Sequence, residues 1–588
     1  MIRIFDAARF CKHGLKKYDR INQVWARDSW GFRNTRPRLA VGSQRPETGF
    51  SILNARNREF FATLLTFERR GKMKKIGLSL GGNVILVLVL AAIVITMAMS
   101  PGAVQAQKPQ YGGVLKVISQ GGPTILGYPW KMRPSFFGSQ LYPCIETLFR
   151  MDVKGRPTPL LAETWEWSPD GKALTIQLRK GVKFHDGTDF DAEAVKWNLE
   201  QGVKARKPDL RPLASMDVID KNTIRLNLRR FDNTFLTSLA ANSGLMVSPT
   251  AIQKNGEAWA LTHPVGTGPF IFADFKRDVF LKFKKFDGYW QKGKPYLDGI
   301  DYTYIADPTV AATSFMAGNA NLFMSGVLGK EVSDLKGKGF EVLSIYTGGA
   351  QFLAPDSGNP DSPFADKRVR EAVEYAVDTK PIAETMGFGS WVPLGGQFAG
   401  PGSMGNLPNY KGRPYNPEKA KRLLAEAGYP NGFKTTIVPW PTPDPHVAVQ
   451  GYLAKVGIKA KLEVPNRGKI ESIWFGGWKN GMVWRGTGGN PNFTATLPSL
   501  FGKRTPWLPS MRRPAGLADL VAKATMARDY DTQVKLTKQC VQMLADDATF
   551  LPLWGVRFSY VVDGKLHDAG LAEFHMIIWT PETAWLSK

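Results

Sequence analysis

The chain has 588 residues, of which 43% are hydrophobic and 22% charged, which is enough apolar material for a large core and more than one lobe. This composition excludes an intrinsically disordered protein. The formal net charge of +26 suggests an anionic partner. However, the Lys and Arg residues after residue 106 are scattered and form no arginine-rich stripe, so we expect no nucleic-acid partner.

The first 72 residues carry much of the positive charge, with 16 Lys and Arg against 6 Asp and Glu. They run into ERRGKM (68–73), the peptide that translation of a purine-rich ribosome-binding sequence would give. An export signal normally begins a polypeptide, and here one begins only at Met73. We therefore interpret residues 1–72 as a non-native or disordered leader from an over-extended gene start.

Residues 73–106 have the parts of a secretory signal peptide in order. Two lysines precede an apolar run over 84–99, and Val104 and Ala106 form a small-residue cleavage site. The mature protein would then start at Gln107 in the periplasm. The apolar run is shorter than the roughly 20 residues of a membrane-spanning helix, and its retention as an anchor is the alternative.

Alternating apolar residues predict strands early in the mature chain. Leu174, Ile176 and Leu178 alternate with polar neighbours after an Asp170-Gly171 turn, a pattern typical of a β-hairpin. The same alternation returns over 224–228.

Helix signals come later. Asn416-Pro417 predicts an N-cap followed by proline in the first turn, and Gly428 ends the apolar face that follows. Asp366 precedes a second amphipathic stretch. The chain is therefore predicted to be a mixed α/β protein without internal repeats.

Catalytic and metal-binding motifs are missing from the mature sequence. It has no Cys-x-x-Cys, His-Glu-x-x-His or Walker A segment. The one Gly-x-Ser-x-Gly of the full chain lies inside the predicted signal peptide. His567 and His575 are eight residues apart, a weak metal signal. Cys144 and Cys540 are expected to be buried structural residues, and their pairing is left open. We expect no cofactor, no metal and no enzyme activity.

The segment VWRGTGGNPNF (483–493) combines a tryptophan and an arginine with three glycines. A phosphate-binding P-loop would need a lysine that is not there. The remaining interpretation is a glycine-rich, aromatic-edged wall of a ligand cleft, because glycines cannot build a core around Trp484.

Five stretches of the mature chain closely resemble segments of the bacterial extracellular solute-binding protein family five, in the order of that family. They are LLAETWEWSPDGKALTIQLRKGVKFHDGTDFDAEAVKWNLE (160–200), PVGTGPFIF (264–272), FDGYWQKGKPYLDGI (286–300), FADKRVREAVEYAVD (364–378) and YNPEKAKRLLAEAGYPNGF (415–433). The family serves ABC importers of peptides, nickel chelates and other solutes. The resemblance implies a receptor that closes on a small solute and delivers it to the ABC permease.

The fold implied by the resemblance is two-lobed, of the class II periplasmic-binding-protein type with an extra subdomain and a ligand cleft between the lobes. The first lobe would comprise residues 107–345, with an inserted subdomain at about 151–261, and would regain 551–588. The second lobe would comprise 346–550. We expect a monomer whose partners are the solute and the permease transmembrane subunits.

In peptide-binding relatives, the stretch corresponding to 484–491 carries an Asp that pairs with the free amino group of the peptide. Here Thr487 stands at that position and Arg485 adds a positive charge. A buried cation needs an anion, so this wall is predicted to suit a neutral or anionic solute better than an ordinary peptide.

The candidate ligand-binding residues come from both expected lobes. Aromatic residues would enclose the solute, Arg485 or Arg467 would pair with an anionic group, and Thr487 would form a hydrogen bond. A core position for Phe136 and Phe137, and a solvated position for Arg467, are the alternatives. The full set is Trp130, Phe136, Phe137, Arg467, Trp474, Trp484, Arg485 and Thr487. An exported hydrolase, or a sensor that acts through a membrane partner, are the competing functions.

Overall fold

The computed structural model describes residues 108–132, 136–326, 329–487, 489–571, 579 and 581–588, without the side chains of 136, 137 and 347. All of them belong to one compact unit, residues 106–588. The predicted leader (1–72), the signal peptide (73–106) and His575 lie outside the described residues. Within the described ranges, no helix is long and apolar enough to cross a membrane.

Numbered in chain order, the strands of the described ranges are β1 Val114–Ser119, β2 Phe149–Met151, β3 Pro157–Pro159, β4 Ala162–Trp167, β5 Ala173–Leu178, β6 Leu213–Asp220, β7 Thr223–Leu228, β8 Phe270–Lys276, β9 Phe280–Lys285, β10 Gly299–Tyr304, β11 Leu322–Gly326, β12 Glu341–Pro355, β13 Trp391–Pro393, β14 Lys434–Val438, β15 Lys459–Leu462, β16 Gly481–Gly486, β17 Leu551–Val562, β18 Leu566–His567 and β19 Trp585–Leu586.

The α-helices are α1 Ala192–Lys204, α2 Phe235–Leu239, α3 Pro249–Asn255, α4 Glu257–Ala260, α5 Pro308–Met316, α6 Gly329–Gly337, α7 Lys367–Ala376, α8 Thr379–Met386, α9 Pro417–Glu426, α10 Asp444–Ala454, α11 Arg467–Gly476, α12 Leu497–Phe501, α13 Leu517–Thr525 and α14 Tyr530–Asp546. Short 3₁₀ helices cover Pro129–Lys131, Phe136–Leu141, Pro208–Leu210, Asn242–Gly244, Pro363–Ala365 and Phe493–Thr496.

A large mixed sheet runs through the molecule in the order β15-β14-β16-β12-β17-β11-β1-β10-β9-β8, with β13 also paired to β17. Strand β1 is parallel to β10 and β11, and β14 is parallel to β15 and β16. A separate four-stranded antiparallel sheet has the order β4-β5-β7-β6.

The long antiparallel strands β12 and β17 connect the two parallel groups of the large sheet. Residues 341–346 of β12 pair with 557–562, and after a register shift between Tyr346 and Ala350 the strand pairs with both β17 and β16. Gly348 within this shift has a φ of +85°, which is accessible to glycine at little cost.

Apolar cores cover both faces of this sheet because successive strand side chains point to opposite sides. Phe352 and Val483 belong to the core under α12 to α14, whereas Leu353 and Met482 belong to the core under α7, α9 and α10. Strands β1 and β11 are likewise covered on both faces. The four-stranded sheet has its own core with α1 and α2.

The elements predicted from local patterns are confirmed. Strands β4 and β5 pair antiparallel across the predicted turn, and Leu174, Ile176 and Leu178 are all buried. The side chain of Asn416 accepts a hydrogen bond from the Lys419 amide at the start of α9. Asp366 caps α7 in the same way.

The two mature cysteines are unpaired and fully buried in different cores. They occupy core positions as small apolar side chains, which is the role expected from the sequence.

A buried amide network joins the four-stranded-sheet region to α14. The Gln533 Nε2 donates to Asn492 Oδ1 at 2.9 Å, to Thr494 Oγ1 at 3.0 Å and to Asn233 Oδ1 at 3.3 Å. Asn492 in turn donates to Thr237 Oγ1 at 2.9 Å. Residues more than 250 positions apart in the chain therefore share one set of hydrogen bonds.

The variant Gln533→Leu should lower the free energy of unfolding by about 2 to 3 kcal/mol, because it leaves buried acceptor oxygens without their shared donor. Urea unfolding measures this change. Gln542→Leu on the same helix is the matched control, since its amide makes only an exposed hydrogen bond to Asp546, and it should change stability by less than about 0.5 kcal/mol. Equal losses in both variants would contradict a structural role for the network.

Candidate functional site

The segment 483–493 begins inside β16 and ends at the 3₁₀ helix Phe493–Thr496. Met482 and Val483 are buried, and the side chains from Trp484 to Thr487 are half-buried. Gly486 pairs with Gln351 of β12, and a Cβ at Gly486 would lie 2.5 Å from the Gln351 side-chain oxygen.

The guanidinium of Arg485 lies in the angle between two indole rings. Its central carbon is 4.6 Å from the ring centroid of Trp474 and 4.1 Å from that of Trp507. The two centroids are 6.2 Å apart and the ring planes are inclined by 53°, so the rings form a V rather than a parallel sandwich. Both contacts are favourable cation–π arrangements.

No described residue forms an ion pair with Arg485, and its Nε is fully buried without a hydrogen-bond partner. Burial, and to a smaller extent the charge of Arg467, lower the pKa of Arg485 to about 10. The group is therefore still a cation at neutral pH. Other buried arginines differ: Arg370 contacts Asp547 at 3.0 Å and Arg413 contacts Glu374 at 2.9 Å.

Trp474 also contacts Trp484, the residue before Arg485 in the chain. Trp474 on α11 donates its indole N–H to the carbonyl of Trp484 at 2.8 Å, and their rings lie 6.0 Å apart. Trp474 is 5% exposed. The predicted grouping of Trp474, Trp484 and Arg485 is thus a real spatial cluster, and contact of its members with a ligand stays a prediction.

Thr487 uses its polar atoms to attach the loop to β12. Its hydroxyl accepts a hydrogen bond from the Ala350 amide at 2.9 Å, and its own amide donates to the Ala350 carbonyl at 2.9 Å. Ala350 directly follows the register shift of β12. If Thr487 contacts a solute, the position of its hydroxyl therefore depends on the position of Ala350 in β12.

Arg467 is the first residue of α11, and its side chain is 68% exposed and pairs with Glu471 at 2.8 Å. This is the solvated alternative weighed for it. The positive charge of Arg467 lowers the pKa of Arg485, because two like charges repel each other.

Trp130 lies apart from this cluster. It is 7% exposed, donates its indole N–H to the Asn198 carbonyl at 2.9 Å and packs against Tyr128 and Trp197. Phe136 and Phe137 open a 3₁₀ helix, and their side chains lie outside the described residues. A ligand contact for these three residues stays a prediction.

Trp507 and Arg513 were not identified from the sequence. Both lie in the stretch between α12 and α13, where RTPWLPSMRR (504–513) contains no recognisable motif. The abundance of tryptophan in the mature chain was the only signal that could have pointed to Trp507.

One described cysteine–histidine contact could suggest nucleophilic catalysis. Cys144 Sγ is 3.8 Å from His185 Nδ1, and His185 Nε2 is 2.9 Å from the Gly268 carbonyl. Burial raises the pKa of Cys144 to about 12 and lowers the pKa of His185 to about 4. At neutral pH the pair is a thiol beside a neutral imidazole, which lacks the thiolate that catalysis needs.

Residues 156–507 match the sequence profile of bacterial extracellular solute-binding proteins, family 5, in its middle part. The chain is 31% identical to the glutathione-binding protein GsiB of Escherichia coli K12 over 435 residues, which is 69% of this chain and 82% of that protein. Its counterpart in Shigella flexneri matches equally well.

Solved structures of binding proteins have the same fold. The chain is similar to the agropinic acid complex of AgaA from A. tumefaciens R10, with 26% identity, a TM-score of 0.67 and coverage of 81% of this chain and 99% of that chain. DppA of Helicobacter pylori in complex with the peptide STSA matches with 24% identity, a TM-score of 0.69 and coverage of 82% and 99%. The chain therefore belongs to the bacterial extracellular solute-binding proteins of family 5 and has their two-lobed mixed α/β fold.

Proposed function

We propose that this protein is the substrate-binding protein of an ABC importer, and that it captures a neutral or anionic small solute between its lobes. The solute would then pass to the permease transmembrane subunits. In this proposal the protein acts as a monomer in the periplasm, exported by the signal peptide at 73–106, and does not turn over its ligand.

The observation that carries the choice of solute is the unpaired cation of Arg485. Removing a guanidinium from water costs free energy that an anion normally offsets, and no described residue supplies that anion. A negatively charged solute would complete the site. Relatives named for glutathione, agropinic acid and peptides bind different chemistries, so membership of the family alone leaves the ligand open.

We propose that the lobes are 107–345 with 551–588, and 346–550, and that the subdomain is about 151–261. The support is the continuity of β12 and β17 between the two parallel strand groups, with the register shift at 346–350 as the hinge. Solute binding would shift the population toward the closed state, to an extent set by its preference for that state.

Arg485→Ala should weaken binding of an anionic solute by about tenfold to a hundredfold, which corresponds to one charged hydrogen-bonded contact. The probes are the solute that co-purifies with the protein, agropinic acid, glutathione and the dipeptide Met-Leu, each followed by thermal shift and calorimetry. Saturating solute should raise stability by about 2.7 kcal/mol at a hundredfold excess over Kd.

Arg467→Ala is the matched control, because this exposed arginine is paired with Glu471, and it should change affinity by less than about threefold. Tight binding of Met-Leu, together with equal affinities of the parent and Arg485→Ala for every probe, would contradict the proposed solute class. A solute chemically changed after incubation with pure protein would revive the enzyme alternative.

The unpaired charge of Arg485 should also affect the free energy of unfolding of the solute-free protein. Arg485→Met should leave the free energy of unfolding unchanged or raise it by up to about 1 kcal/mol, since the loss of an unpaired buried charge compensates for the lost ring contacts. Arg370→Met, which removes a partnered buried arginine, should lower it by about 3 kcal/mol. Urea unfolding of solute-free protein compares them, and an Arg485→Met loss as large as that of Arg370→Met would show that Arg485 has a structural partner.

A further inference from the structure

Trp507 makes the shortest aromatic contact with the Arg485 guanidinium, 4.1 Å from ring centroid to central carbon. It comes from a different chain segment than β16 and α11, which supply the rest of the cluster. Trp474 and Trp507 therefore contact the guanidinium from two different sides, and the directions from its central carbon to the two ring centroids are roughly at right angles. A third ring, that of Phe475, packs on Trp507 at 4.2 Å and is itself 49% exposed.

The backbone around Trp507 is held in place by one half-buried guanidinium, that of Arg513. Arg513 donates to the carbonyls of Leu508 at 3.0 Å, Met511 at 2.7 Å and Leu500 at 3.2 Å, and also to that of Trp507 itself. The Leu508 amide donates to the Trp474 carbonyl at 2.8 Å. The chain segments that carry the two indoles in contact with Arg485 are therefore joined by a main-chain hydrogen bond.

This arrangement leaves the terminal nitrogens of Arg485 as the atoms that can meet a ligand. Nε is fully buried and unpartnered, whereas the terminal nitrogens are not among the buried unpartnered atoms and make no hydrogen bond with a described residue. The nearby Arg467 is already paired with Glu471. The cluster therefore offers one positive charge that no described residue compensates.

We propose, building on the function proposed above, that Trp507 is a positioning residue that holds the Arg485 guanidinium in place, and that the group bound there is a carboxylate with a single negative charge. A carboxylate is planar and accepts two parallel hydrogen bonds from the fork of a guanidinium. One cation compensates one negative charge, so a phosphate dianion would remain partly unpaired in this desolvated corner. Lysine cannot reproduce either the stacking or the fork.

The test follows the Nε–Hε NMR signal of Arg485 in protein labelled with ¹⁵N-arginine, assigned by its loss in Arg485→Lys. Sodium acetate is the probe, with acetamide and inorganic phosphate at pH 8 as comparisons. Acetate should shift the signal saturably, acetamide should not, and phosphate should bind at least about tenfold more weakly.

Trp507→Leu should weaken acetate binding by about tenfold and move the starting position of the signal, because the ring that orients the guanidinium is gone. Trp507→Phe should restore affinity to within about threefold of the parent. Trp478→Leu is the matched control: Trp478 is half-buried in the same region but donates its indole N–H to the Gly481 carbonyl at 3.1 Å, and its loss should leave acetate binding unchanged. Thermal unfolding of each variant shows whether it is folded.

Two outcomes of the acetate and phosphate titrations overturn the inference. One is equal acetate affinity in the parent and in folded Trp507→Leu, and the other is binding of phosphate at least as tight as that of acetate. Thermal shift with the co-purifying solute runs in parallel. Stabilisation by that solute without any shift of the Arg485 signal would refute the role of Trp507 and leave the receptor function standing. Failure of every solute to stabilise the protein would count against the receptor function itself.

Discussion

The site depends on one electrostatic constraint: Arg485 is half-buried with its Nε fully buried, and no anion in the described part of the chain pairs with its guanidinium. Proteins rarely leave such a charge uncompensated, because its desolvation is costly. Here the cost is reduced by the indole faces of Trp474 and Trp507, which stabilise a cation without neutralising it. We propose that the ligand brings the missing negative charge.

The fold places this cation next to the irregular part of β12, which we propose as the hinge between the lobes. Arg485 lies on β16, which pairs with β12 just beyond the register shift, and Thr487 attaches the following loop to Ala350 of β12. The same loop ends at Asn492, which belongs to the buried amide network with Gln533 and Thr237. One segment of eleven residues thus connects the candidate anion site, the irregular strand and the contact with the four-stranded-sheet region.

Local sequence signals were sufficient for the hairpin β4–β5 and for the caps of α7 and α9, because each depends on neighbouring residues. The cluster of Trp474, Trp484 and Arg485 was also predicted, through the resemblance to the family. Trp507 and Arg513 were missed because their role arises from contacts between distant segments. Trp130 is buried against Trp197, and its contact with a ligand stays a prediction. Composition cannot separate a core indole from one in a cleft.

The central claim is that the charge of the solute is neutralised at Arg485. The most direct measurement is a crystal structure of the protein with the solute that co-purifies with it. The account predicts a carboxylate oxygen of the solute within about 3 Å of a terminal nitrogen of Arg485, in the plane of the guanidinium. A bound solute whose charged groups are all held elsewhere, with Arg485 still facing no anion, would contradict it.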